Sequence, residues 1–226
     1  MMTASPPAGT SKRGRTLDSL LVALQSLLLE RGAGAFSISD VSERAGVAQG
    51  TFYNYASSLE ELVDALAILV SASMAALGRN APSAEIDPVA AFVFKTRHTL
   101  SLPACAPDYG RLLFDAGLPV DRFLSGLRQD LQADLRVGSQ LGVFKTEDPE
   151  LSASFVAGCM LGVGLDLHRE RLPKSAIQAT ITELLVMLGV PRTVAQRAAS
   201  ERMRFHAPPA LPLRWLSLAS SEGTRP

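Results

Sequence analysis

A chain of 226 residues is long enough to bury a core without staples, as one large domain or as a small one plus a medium one. Lys plus Arg balances Asp plus Glu at 22 each, so overall charge argues neither for nor against nucleic acid. The two cysteines, Cys105 and Cys159, lack CxxC spacing, which excludes a disulfide framework or a zinc site and makes a reducing cytoplasm the simplest compartment.

Residues 1–14 are rich in Thr, Ser, Pro and Gly and read as a flexible arm, basic at Lys12-Arg-Gly-Arg15, without the apolar run of a secretory signal. From Thr16 to Arg31, Leu17, Leu20, Leu21, Leu24, Leu27 and Leu28 recur at spacings of three and four, the pattern of an amphipathic helix that Gly32 and Gly34 end. Ser37 with Asp40 three residues on resembles a capping box and opens a short helix to about Ala45, which Gly46 stops. Gln49 to Tyr55 reads as a third helix, and Ser58 with Glu60 and Glu61 opens a long fourth one to about Leu77.

The segment Gly78 to Pro88 has the composition of a loop and marks a change of organisation. Further helices are expected at about Val89–Leu102, Pro107–Ala116, Val120–Leu141, Pro149–Arg169, Lys174–Leu188 and Arg192–Phe205. No stretch alternates as a strand does, so the fold class is all-α. The apolar runs Ala65–Leu77 and Phe155–Leu165 fall short of the roughly 18 to 20 residues needed to cross a bilayer and read as buried helices with no membrane role. The Pro-rich tail 206–226 is expected to be disordered, although Trp215 and its Leu neighbours are suited to docking.

Function is concentrated between Ile38 and Tyr55. A helix-turn-helix needs a tight turn between a bracing helix and one whose first residues enter the major groove, and Gly46 permits that turn. Val41, Ala45, Val47 and Phe52 are spaced to pack inward, leaving Gln49, Thr51, Tyr53 and Asn54, all hydrogen-bonding types, outward. Around them stand Glu30-Arg31-Gly32, Ser37-Ile38, Ala45-Gly46-Val47, Gly50-Thr51-Phe52-Tyr53 and Ser58-Leu59-Glu60-Glu61-Leu62. In order and spacing these five pieces resemble the TetR family of transcriptional regulators.

The resemblance implies a three-helix DNA-binding domain at 15–57 and a larger ligand-binding and dimerisation domain at 58–205. It implies no enzyme activity and no cofactor. Gln49, Gly50, Thr51 and Asn54 would face base edges or the adjacent backbone of double-stranded DNA, a glutamine suiting adenine. Tyr53, Tyr55 and Ser37 would meet phosphates, with Ser39 a further contact from the bracing helix. The family's usual Phe after this helix is replaced here by Ala56, and its phosphate-binding Lys by Leu59. The first 62 residues hold five cations against six carboxylates, which shifts weight onto hydroxyl contacts and the basic arm.

The resemblance further implies a homodimer, which a single helix-turn-helix needs to read both halves of a palindromic operator. The small residues Ala153, Ala157, Gly158, Gly162 and Gly164 and the stripe Ile177, Ile181, Leu184, Leu185 and Leu188 suit that contact, and suit packing within the chain equally. A small, apolar effector would be enclosed by Phe92, Thr99, Leu102, Phe114, Leu127 and Phe155, each of which core packing also explains. His98 and His168 are candidate polar contacts without a metal partner at i+4. No nucleophile elbow, phosphate loop or paired catalytic carboxylate supports an enzyme, and a regulator that has lost operator binding is the alternative that Ala56 and Leu59 raise.

Overall fold

The computed structural model describes residues 11–78, 80–203 and 208–215, and among these all regular structure is helical. Helix α1 spans Lys12–Arg31, α2 Ile38–Arg44, α3 Gln49–Phe52 and α4 Leu59–Gly78. Beyond them lie α5 Pro88–Cys105, α6 Pro107–Gly110, α7 Val120–Gln140, α8 Pro149–His168, α9 Ala176–Met187 and α10 Arg192–Ser200.

Contacts divide the chain into two compact units that differ from the boundaries expected at 57 and 205. Residues 1–73, 111–123 and 209–226 form the first unit, and 74–110 with 124–208 the second. The backbone therefore leaves the first unit and returns to it twice.

Helix α1 starts four residues before the expected Thr16, because Ser11 caps it and its hydroxyl accepts from the Gly14 amide at 3.1 Å. The end of the arm, Lys12 to Gly14, is thus helical, while residues 1–10 lie outside the described residues. The leucine stripe of α1 is buried as its spacing demands, and Val41, Phe52, Leu62, Leu66 and Leu69 are buried in the same unit. Two ion pairs join α1 to α2: Arg44 grips Glu30 with both guanidinium nitrogens at 2.7 and 2.8 Å, and Arg31 meets Asp40 at 3.2 Å.

The expected helix Pro107–Ala116 breaks into two pieces. After α6 the backbone widens into a π-helical turn, Arg111–Asp115, at the point where the chain re-enters the first unit. There the Arg111 guanidinium donates to the Leu29 carbonyl at 2.6 Å, fixing the turn against the end of α1. On the other side of the break, a Cβ at Gly110 would lie 2.3 Å from the His168 ring, so glycine lets α6 and α8 approach.

In the second unit α5 packs on α8 and α9, and α10 covers α9 and α5. Phe92, Leu100, Leu135, Phe144, Val156, Met160, Ile181 and Leu185 share one core, with the Phe92 and Phe144 rings edge to face at 6.0 Å. Lys95 of α5 bridges both oxygens of Asp134 on α7 at 2.8 and 2.7 Å. Pro103 does not end α5 as expected at Leu102. Proline costs only one bond when it falls in the last turn.

Helix α8 is longer than the apolar run counted from sequence, and by length and composition it is apolar enough to cross a bilayer. Ala153, Val156, Ala157, Met160 and Leu167 nevertheless place one side of it in the helical core. The tail, expected to be disordered, is held in part. Leu213, within the described part, is 2% exposed against the first unit.

Candidate functional site

The helix-turn-helix is built by local rules. Ser37 and Asp40 form the anticipated capping box: the Ser37 hydroxyl accepts from the Asp40 amide, while the Asp40 carboxylate accepts from the Ser37 amide at 2.8 Å. Helix α2 ends as Gly46 turns to φ 69°, with its amide on Glu43 and that of Val47 on Ser42, both at 3.0 Å. Ala48 then begins α3 without a side-chain cap.

Helix α3 is shorter than expected and ends at Phe52, so Tyr53, Asn54 and Tyr55 sit in the turn that follows it. The ordering force there is Phe52, fully buried, whose ring meets the Tyr53 ring edge to face at 5.6 Å. Ala56 is also buried at 4%, so the core closes at the position where a second ring was expected. With Phe52 turned in, Gln49, Gly50, Tyr53 and Asn54 are exposed, and Thr51 and Tyr55 half-buried. Ser37 and Ser39 are exposed at the start of α2.

All eight sequence-selected residues thus lie on two short helices and one turn. Ser37 already serves as a cap, so any phosphate contact by its hydroxyl has to be shared with Asp40. The basic start of α1 contributes a neighbour that spacing did not reveal: the Arg13 guanidinium lies 5.9 Å from the centre of the Tyr55 ring, at cation–π distance. Arg31 and Arg44, in contrast, are engaged by carboxylates.

The Ser37 hydroxyl and amide, and then the Arg31 guanidinium, hold the Asp40 carboxyl at about 2, below its ordinary 3.8. A depressed carboxylate contributes stability above its unfolded pKa and loses it as pH falls through the folded one. The cap should therefore hold above pH 3.8 and fail as pH drops toward 2. An NMR titration of Asp40 should find its midpoint near 2, with the Ser37 amide losing protection alongside. A midpoint at 3.8 would contradict the capping box.

Of the expected effector lining, Phe92 and Leu127 share the core of the second unit. Phe92 and Leu102 are buried in packed surroundings, Thr99 and Leu127 are half-buried, and Phe114 belongs to the other unit. Phe155 is a clear correction: at 62% exposure it points away from the core, because its turn of α8 buries Val156 and Ala157 instead. His98 is a satisfied core residue, its Nδ1 2.9 Å from the Phe94 carbonyl and its ring stacked on Phe94 at 4.1 Å. His168 lies against Gly110. The second unit has an open groove of about 420 Å³ between α7 and α8, lined mainly by polar residues including Arg128, Gln129, Gln132 and Glu150. Among the described residues no group of His, Cys, Asp and Glu is arranged to hold a metal.

The stripe chosen for dimer contact is also corrected. Ile177, Ile181, Leu184, Leu185 and Leu188 are spent on the chain's own core, as are Ala153 and Ala157. Besides Glu150 and Ser154, which line the groove, α8 leaves bare Leu151, Phe155, Gly158, Cys159 and Gly162, spaced to share one face.

Comparison with known proteins agrees with this geometry. Residues 20–66 match the family described as "Bacterial regulatory proteins, tetR family". The uncharacterized HTH-type transcriptional regulator YvdT of Bacillus subtilis (strain 168) is 44% identical over 50 residues, 22% of this chain and 26% of that protein. The match thus spans about a quarter of its length. RolR solved without ligand superposes with a TM-score of 0.66 at 24% identity, over 82% of this chain and 97% of the other. Its complex with resorcinol gives 0.65 at 24%, over 85% and 97%. The fatty acid degradation regulator FadR from Bacillus halodurans gives 0.59 at 19%, over 80% and 100%. These structures share the fold across both units, and the N-terminal match carries the helix-turn-helix itself. Residues 20–66 are thus similar to the tetR family of bacterial regulatory proteins, and the chain shares the fold of these solved structures.

Proposed function

We propose that the chain is a cytoplasmic DNA-binding transcriptional regulator that represses by occupying a palindromic operator and leaves it when a small effector binds the second unit. The observation that carries this reading is the exposed set Gln49, Gly50, Tyr53 and Asn54, with the half-buried Thr51 among them and the buried Phe52 behind. Gln49 and Asn54 offer amides for base edges, while Thr51, Tyr53, Tyr55 and Ser39 offer hydroxyls to the backbone. Arg13, beside Tyr55, supplies a cation at the same place.

Two copies act together. The bare face of α8 contains Gly158 and Gly162, where an added Cβ would meet nothing within 4 Å. Nothing among the described residues therefore requires glycine there, although each costs about 1 kcal/mol of helix stability relative to alanine. Close approach of a second copy of α8 explains both residues, and Leu151 and Phe155 give that approach its apolar area.

Helix α4 carries residues of both units in one continuous helix, a route by which effector binding shifts the population away from the DNA-fitting state. RolR has been solved with resorcinol, which makes small hydroxylated aromatics the first effectors to try.

The test is selection of genomic fragments, beginning with DNA flanking the protein's own gene, followed by anisotropy at rising salt. A palindromic site whose affinity falls steeply with salt is expected. On that site, Thr51→Ala and Tyr53→Phe should each weaken binding by about three- to tenfold, one hydrogen bond apiece, with unchanged melting. Equal affinity in both variants would remove α3 and its turn from the interface. Failure of every fragment with a folded dimer would leave a ligand-binding module instead.

A further inference from the structure

The buried face of α1 contains two polar residues that the helix-turn-helix does not explain. Asp18 is 1% exposed and Gln25 is fully buried, seven residues apart and so two turns along one face. A buried carboxylate and a buried amide are costly unless hydrogen-bonded. Their partners come from the far end of the chain.

Gln25 pairs with Leu213 in both directions: the Leu213 amide donates to Gln25 Oε1 at 2.7 Å, and Gln25 Nε2 donates to the Leu213 carbonyl at 2.9 Å. The Trp215 amide donates to Asp18 Oδ1 at 2.8 Å, and the Leu213 side chain is buried between these anchor points at 2% exposure. The side chains of α1 thus pair with the backbone of Leu213 and Trp215, and the buried Leu213 side chain adds an apolar contact.

We infer that residues 211–215 form a releasable strap on α1, one that stiffens the DNA-binding unit when docked. Stiffening follows because α1 carries α2 through packing and the two ion pairs, so whatever immobilises α1 steadies the helix-turn-helix. Releasability follows from the chemistry of the seat. Undocked, Asp18 and Gln25 are hydrated, whereas an all-apolar seat would expose a greasy face. Docking also leaves Asp18 Oδ2 without a partner, which weakens the hold.

The chain contains a single tryptophan, Trp215, which reports the strap directly. Acrylamide quenching, urea titration and amide hydrogen exchange on the full-length protein make the test. In Leu213→Asp, and in Gln25→Leu, Trp215 should become about twofold or more easier to quench, and α1 amides should exchange at least about tenfold faster while those of α9 keep their rate. Leu213→Met should behave as the unaltered protein. Along a urea titration the Trp215 signal should change before far-UV ellipticity is lost. Circular dichroism identifies a Gln25→Leu protein that fails to fold, and Leu213→Asp, which leaves α1 intact, then decides. Equal quenching in Leu213→Asp and the unaltered protein, or unchanged α1 exchange, would overturn the docked strap. Coincident urea transitions would overturn its release.

Discussion

Phe52→Ala should destabilise the first unit by about 3–5 kcal/mol, the usual loss when a fully buried phenylalanine is truncated. Relief by collapse is limited, because Ala56 next to it is already small and buried. Such a loss is comparable with the whole stability of many small domains, about 5–15 kcal/mol. The second unit has its own core, from Phe92 to Ala199, and should survive. Hydrogen exchange should therefore show α2 and α3 losing protection while α5 and α9 keep theirs, with DNA binding lost at ordinary temperature. Uniform loss of protection across both units would mean that they fold as one.

The second large effect is expected on assembly. Phe155→Glu places a charge on the centre of the bare α8 face, where Phe155 is 62% exposed in the single chain. In a monomer the change is a surface substitution, within about 0.5 kcal/mol of neutral. In a dimer it buries two carboxylates near the two-fold axis, a penalty of several kcal/mol and a shift of at least about a hundredfold in the dimer dissociation constant. Sedimentation equilibrium should find a dimer for the unaltered chain and a folded monomer for the variant. Gly158→Leu should act in the same direction by keeping the helices apart. A Phe155→Glu protein that remains dimeric would move the interface elsewhere.

These two residues mark how far the sequence is legible. Phe52 was recognisable because everything that defines it is local: Val41, Gly46, Val47 and Thr51 lie within a dozen residues, and their spacing alone decides which side faces in. Phe155 was equally visible as apolar, yet apolarity does not say which neighbour covers a side chain. The alternation of Ala153, Val156, Ala157 and Met160 inward with Leu151, Phe155 and Gly162 outward emerges only once α5 and α9 are in place.

The same limit applies to Asp18 and Gln25, which interrupt the leucine pattern of α1 and have partners 197 and 188 residues away. No rule of spacing connects them. Boundaries failed for a smaller reason. The Ser11 cap lies in a Pro-, Ser- and Gly-rich stretch whose composition argues for an arm, and one hydroxyl at the right distance outweighs that composition for the next three residues.

That early start of α1 has a geometric consequence. Lys12, Arg13 and Arg15 belong to the same rigid rod as the leucines that seat it, so their directions are set by the phase of the helix, about 100° per residue. Arg13 stands over Tyr55 because forty-two residues of folded chain return Tyr55 to that azimuth. A residue inserted between Arg15 and Leu17 would rotate every cation by more than a quarter turn while leaving composition and charge almost untouched. In this protein the position of positive charge is therefore a property of helical register, as fixed as the core itself.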